Sequence, residues 1–166
     1  MVDDKQESFI EDVDYEERLL ISSMADKTEL ADNIRCAKAI LHTFPNDKII
    51  IRGHSKERDV KNPEYLINGM MADRKGIAGY KGVRNSFQSA MEQGAVIVVI
   101  DLDKHLSQVP LKTRELSRRI FWRYSDFISS RIEQCYIVFN GNATRIAKSS
   151  INSKEQIEEL IKRLKP

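Results

Sequence analysis

Two cysteines, four prolines, seven glycines and a single tryptophan are spread over the 166 residues. Each shortage excludes something. Cys36 and Cys135 show no CxxC spacing, one lying inside an apolar helical pattern and the other opening a strand-like run. That excludes a disulfide framework and reads as free, buried thiols in a reducing compartment. No apolar run approaches the roughly 20 residues of a membrane span, and the first residues hold no apolar signal-type region, so a cytoplasmic protein is expected. With few prolines, no internal repeat and no low-complexity tract, the length suits one domain with a substantial core.

Net charge is also scarce, at +2, but it is unevenly placed. Residues 1 to 18 carry Asp3, Asp4, Glu7, Glu11, Asp12, Asp14, Glu16 and Glu17 against Lys5 and Arg18, which leaves the rest of the chain at +8. A basic body suits a polyanionic partner such as nucleic acid, although solubility accounts for such a charge almost as well. The acidic segment 1–25 reads either as a flexible tail or as a cover over a basic groove, and residues 26–166 as the folded domain.

Asp26 with Glu29 three residues later has the form of an N-cap and its capping-box partner, ahead of Leu30, Ile34, Ala37, Leu41 and Phe44 at helical spacing. Lys48 to Arg52 predicts a strand, followed by a polar loop from Gly53 to Asn62 that contains His54. Val83, Phe87, Ala90 and Met91 predict a helix stopped by Gly94, and the apolar run Ala95 to Leu102 a buried central strand. Leu116, Ile120, Phe121, Tyr124, Phe127, Ile128 and Ile132 predict a long amphipathic helix, with Arg114, Arg118 and Arg119 toward another face. Gln134 to Lys148, turning at Asn140-Gly141, predicts a hairpin, and Ser153 with Gln156 caps a last helix. The resulting order, helix, strand, hairpin, helix, strand, helix, hairpin, helix, implies an α/β or α+β domain with one central mixed sheet, two hairpins and flanking helices.

The remaining stretch, NPEYLINGMMADRK from Asn62 to Lys75, organises the others. Asn-Gly tolerates positive φ at both centres of a two-residue turn, so Asn68-Gly69 fixes a hairpin in which Ile67 faces Met70, Leu66 faces Met71, Tyr65 faces Ala72 and Glu64 faces Asp73. Alternation places Lys75 on the same side as Asp73, roughly 7 Å further on, and turns Arg74 to the opposite side. Acids opposite each other, with Cβ atoms about 5 Å apart, destabilise a sheet unless a cation, a shared proton or a lysine compensates. The arrangement reads as a functional site or, equally, as an exposed hairpin end at which Lys75 neutralises Asp73.

Pro63-Glu64 followed by Asp73-Arg74-Lys75 resembles the PD…(D/E)xK signature of the restriction-endonuclease-like superfamily. Residues 26 to 149 as a whole resemble more closely the C-terminal tRNA-nuclease domains of contact-dependent growth-inhibition toxins and their phage and mobile-element relatives. The likeness is carried by Leu30 to Phe44, Ile49 to Arg52, Pro63 to Lys75, Val83 to Gln93, Ala95 to Asp101 and the hairpin Tyr136 to Lys148. Two residues depart from the pattern: Glu64 stands where aspartate is usual, and Arg74 is a bulky cation at the central x. The resemblance implies a restriction-endonuclease-like fold, an endonuclease acting on RNA, in particular tRNA, and a cognate inhibitor protein as partner. It implies that Glu64 and Asp73 bind Mg²⁺, that Lys75 orients or deprotonates the nucleophile, and that Gln93 faces the site. Glu29 is either the additional helical acid of such folds or the cap described above.

Similar sequences are also grouped with barnase-like and colicin-like ribonucleases, which cleave RNA through its own 2′-OH without metal. On that reading His54, Arg52 and Lys75 carry the chemistry as acid, base and phosphate cation, with His42 and His105 as weaker candidates. Arg52, His54, Arg114, Arg118, Arg119, Arg145 and Lys148 are the expected phosphate contacts, each with ordinary solvated charge as the alternative. A third reading keeps the fold as a non-catalytic nucleic-acid or protein-binding module. Glu64 and Arg74 favour it, while Asp73 and Lys75 favour an enzyme.

Overall fold

A computed structural model describes residues 6–57, 60–126 and 132–165. Eight strands form one mixed sheet whose spatial order is their chain order. They are β1 (Phe9–Asp12), β2 (Glu16–Ser22), β3 (Ile49–Ile51), β4 (Tyr65–Ile67), β5 (Met70–Gly76), β6 (Ile97–Asp101), β7 (Gln134–Phe139) and β8 (Asn142–Ala147). Helices α1 (Leu30–Thr43), α2 (Gly82–Glu92) and α3 (Thr113–Asp126) make the parallel connections β2 to β3, β5 to β6 and β6 to β7, and α4 (Lys154–Lys162) closes the chain. The mixed α/β class, the central sheet and the element order from residue 30 onward are as the sequence predicts. None of the helices among the described residues is long and apolar enough to cross a membrane.

Alternation along β6 separates two cores. Val98 and Ile100 face α2, α3 and α4, together with Phe87, Leu116, Ile120, Ile137 and Ile161. Ile97 and Val99 face α1, together with Cys36, Ile40, Tyr65 and Tyr136. Both cysteines are buried and free, and burial pushes both thiols well above their ordinary values. All five residues of β6 are buried, because a strand covered by helices on both sides has no solvent face on which to place polar residues.

The hairpin β4–β5 has the predicted register, Ile67 opposite Met70, Leu66 opposite Met71 and Tyr65 opposite Ala72. Asn68 and Gly69 adopt φ of 51° and 82°, as do Asn140 and Gly141 at 55° and 74°, so both turns use the left-handed backbone that Asn-Gly accommodates cheaply. Gly94 ends α2 with φ of 74°. Ser153 and Gln156 form the expected reciprocal capping box on α4.

Three features differ from expectation. Within segment 1–25, residues 9–22 form a hairpin at the edge of the sheet. Its turn is closed by Asp12 Oδ2, which accepts from the N–H groups of Asp14 and Tyr15 at 2.9 and 3.1 Å. Arg18 on β2 donates to the carbonyls of Leu41, Phe44 and Asp47 at 3.0, 2.9 and 3.1 Å, covering carbonyls that the end of α1 leaves without helical partners. The acids there pair with α1, Lys38 lying 3.4 Å from Asp12 and 3.0 Å from Asp14. Second, α1 begins at Leu30 with no side-chain cap from Glu29. Asp26 instead accepts from the N–H and hydroxyl of Thr28, and Glu29 turns to Arg74, as described below. Third, Ile132 is buried in the lead-in to β7 and is not part of α3. Asp3, Asp4, Lys5, Phe127 and Ile128 lie outside the described residues.

Candidate functional site

The C-terminal end of β5, the start of α1, the C-terminal end of α2, the loop after β3 and the segment after β6 enclose a polar cavity of about 460 Å³. Its lining includes Glu64, Asp73 and Lys75, with Arg52, His54, Gln93, Lys104 and His105 around them. On β5, Asp73 and Lys75 stand beside Val98 and Ile100 of β6, the residues that face α2, so the alternation read from the sequence holds in the sheet. Regular pairing ends at Tyr65, one residue inside Glu64. That release lets the Glu64 side chain reach around, and its Oε2 accepts from the Arg74 N–H at 2.8 Å.

Glu64 and Asp73 both line the cavity, with their carboxyls adjacent. Burial, and then the adjacent Asp73 carboxyl, push the Glu64 carboxyl up to about 8. The neutral form of Glu64 is thereby favoured, which relieves repulsion from its neighbour. Asp73 is buried and accepts from the Ser89 hydroxyl of α2 at 3.3 Å. Lys75 is exposed at the cavity rim. No group of three His, Cys, Asp or Glu side chains able to hold a metal occurs among the described residues. Two hard carboxylates in a wet cavity match the chemistry of a cation that keeps most of its water, as Mg²⁺ does, and do not match a complete protein cage.

On the opposite side of β5, Arg74 is 5% exposed and fully engaged. It donates to Asn33 Oδ1 at 2.6 Å, to Asp101 Oδ2 at 2.8 Å and to Glu29 Oε2 at 2.6 Å. Asp101, wholly buried at the end of β6, also accepts from Arg35 at 2.5 and 3.2 Å. Lys104 reaches Asp32 at 2.5 Å, and this hydrogen bond holds the Asp32 carboxyl below its usual range. A charged layer thus locks α1 and the segment after β6 against the back of the strand that carries the acids. Gly76 makes the Lys104 crossing feasible, because a Cβ there would come within 2.8 Å of the Lys104 side chain.

Gln93 lines the cavity, and its Oε1 accepts from the Asn62 N–H at 2.8 Å. Lys61 donates to the Glu92 carbonyl beside it. Asn62 closes the loop on itself through Ser55, with both hydrogen bonds at 2.8 Å. Arg52 is held by the Pro63 carbonyl at 2.9 Å. The loop carrying His54 is therefore pinned to the end of α2.

Five expected phosphate contacts do not line this cavity: Arg114, Arg118, Arg119, Arg145 and Lys148. Arg114 and Arg118 are exposed on α3. Arg145 pairs with Asp47 at 3.4 Å and lies 4.7 Å from the Phe44 ring centroid. Lys148 follows Ala147, which pairs with Gln134 at the start of β7, the end of the sheet away from Gly76 and Asp101. His105, a weak candidate in sequence, is brought to the cavity by the segment after β6. Ser89, Asn33, Arg35 and Asp101 were not foreseen as part of the site. Only Asp101 left a local trace, an acid closing an otherwise apolar run.

No family model matches the chain, and no curated protein does. Among solved structures, the chain is similar to one from the CdiA-CT/CdiI toxin and immunity complex of Burkholderia pseudomallei. The TM-score is 0.48 at 15% identity, covering 75% of this chain and 91% of that one.

Proposed function

We propose that the protein is a nuclease, a phosphodiesterase acting on RNA at the Glu64–Asp73–Lys75 cavity, within a toxin-like domain of restriction-endonuclease-like type. The observation that carries this reading is the placement of Glu64 and Asp73 in one cavity beside Lys75, with Arg52 in the same lining. Acids brought together in this way oppose stable folding, which is the mark of a functional site. Mg²⁺ held by Glu64 and Asp73 would neutralise charge at the scissile phosphate and the leaving oxygen. Asp73 is positioned by Ser89, and Glu64 by the Arg74 backbone. Lys75 orients or deprotonates the attacking water, Arg52 meets the phosphate, and Gln93 keeps the His54 loop in place. The tRNA substrate and the cognate inhibitor belong to the same proposal, on the resemblance of residues 26 to 149.

A metal-free second reading is favoured by one specific observation, that His54 and His105 line the same cavity as Lys75 and Arg52. Two imidazoles and two cations suffice for cleavage through a 2′-OH. The deciding experiment incubates purified protein with total tRNA and with plasmid DNA, each with Mg²⁺ and with excess chelator, beside Asp73→Ala and Lys75→Ala. Cleavage of RNA lost to chelator and to either substitution supports the carboxylate site. RNA cleavage that survives chelation moves the chemistry to the histidines, and no cleavage of any substrate leaves a binding module.

A further inference from the structure

A second concave site lies at the other end of α2. Lys81 and Arg84, at the start of that helix, and Arg119, Trp122 and Arg123 of α3 line a cavity of about 290 Å³. Four of these five residues are cations, and the fifth is the only tryptophan in the chain. Trp122 is 50% exposed, an unusual state for the largest apolar side chain. The Arg118 guanidinium lies 5.4 Å from its ring centroid, so one cation already rests against an indole that remains half open. Arg119 Nε is buried without a hydrogen-bond partner and forms only a long ion pair, 3.9 Å, with Glu115 one turn earlier.

We propose that this cavity is an exosite for a single nucleic-acid strand, with a base stacked on Trp122 and phosphates held by Lys81, Arg84 and Arg119. The pairing of an open aromatic face with a cluster of cations is the chemistry of single-strand binding: every base offers a π-face and every nucleotide a charge. An acidic protein surface would satisfy the cations and leave the indole unused. The placement suits one continuous strand. Arg84 precedes Gln93 by nine residues, so at 1.5 Å per residue the exosite and the catalytic cavity are separated by about 14 Å along α2. A few nucleotides cover that distance. The inference rests on the nucleic-acid reading above and adds a second point of attachment to it.

Because Trp122 is the sole tryptophan, its fluorescence reports on this site alone. The protein with Asp73→Ala is titrated with a single-stranded oligoribonucleotide of about 12 nucleotides, following both tryptophan emission and the anisotropy of a label on the strand. Saturable quenching that weakens with salt is expected. Lys81→Glu combined with Arg84→Glu, both exposed positions, is expected to weaken binding at least roughly tenfold and to lower the slope of log affinity against log salt by about 1.4. Trp122→Ala is expected to weaken binding roughly five- to hundredfold by anisotropy. Binding seen by anisotropy without quenching, or unchanged affinity in the double variant, overturns the exosite and leaves the catalytic reading intact. Equal quenching by polyglutamate also overturns it. Quenching of the variant by RNA, where the wild-type protein cleaves no substrate, upholds the exosite and removes the catalytic reading.

Discussion

Between about pH 5 and 8 the folded protein keeps a proton on Glu64 that the unfolded chain releases, since burial and Asp73 raise this group from 4.5 to about 8. More protons bound in the folded state means that stability falls as pH rises through this window and levels off above it. The full effect is at most roughly 5 kcal/mol, from about 1.4 kcal/mol per unit. Glu64→Gln removes the titration and leaves an amide able to donate to Asp73. Thermal melts should show the wild type losing stability from pH 5 to 8 and the variant changing much less. Parallel loss in both proteins would place the titration elsewhere. Asp73→Ala should likewise stay folded while losing cleavage, because it relieves the crowding of two acids; circular dichroism beside the tRNA assay tests both halves.

Strand β5 serves two functions by alternation, with Asp73 and Lys75 toward α2 and Arg74 toward α1. The Arg74 layer ties that strand to α1 through Glu29 and Asn33 and to β6 through Asp101. Arg74→Met should cost about 3 kcal/mol in urea unfolding, the lower end for breaking a buried pair, because Arg35 still contacts Asp101. Adding Asp101→Asn should recover part of that loss, because the uncompensated charge is the larger penalty. If the double variant is as unstable as the sum of the singles, the layer is not acting as a charge network. Glu29 illustrates how element-level reading goes astray. Its spacing from Asp26 is that of a cap, but a buried arginine 2.6 Å away competes for the carboxylate more strongly than an exposed backbone N–H does.

At the scale of the whole molecule, a cation that binds only the folded Glu64–Asp73 pair stabilises the protein by mass action, by about 2.7 kcal/mol at a hundred times its Kd. Mg²⁺ should therefore raise the melting temperature of the wild type and leave Asp73→Ala unmoved. The shift should grow from pH 6 to 8, because the cation replaces the proton on Glu64. Identical shifts in both proteins, or none in either, would remove metal from the site. The cations outside residues 1–18 are divided between the cavity, the exosite and structural pairs such as Arg145 with Asp47. Composition alone could not make that division.

Interactions close along the chain were legible in the sequence. Asn68-Gly69 and Asn140-Gly141 set their turns, and a two-residue turn with strict alternation fixes register, so the pairing as far as Tyr65 with Ala72, and Asp73 and Lys75 on one side of β5, follow from counting. The capping box at Ser153 and the apolar run of β6 are local in the same sense. Tertiary structure decided what depends on residues far apart in sequence. Residues 9–22 joined the sheet because Arg18 found the carbonyls at the end of α1 and Lys38 found Asp12 and Asp14, partners that no local pattern announces. Arg74 found Asp101 and Asn33, 27 and 41 residues away, and the segment after β6 carried His105 to the cavity. Local backbone preference determines turns, register and which face a side chain takes. Which charges meet across the sheet, and which face open cavities, is determined by the packing of α1 and α2 on its two sides, because an ion pair forms only where packing has already removed water from both partners.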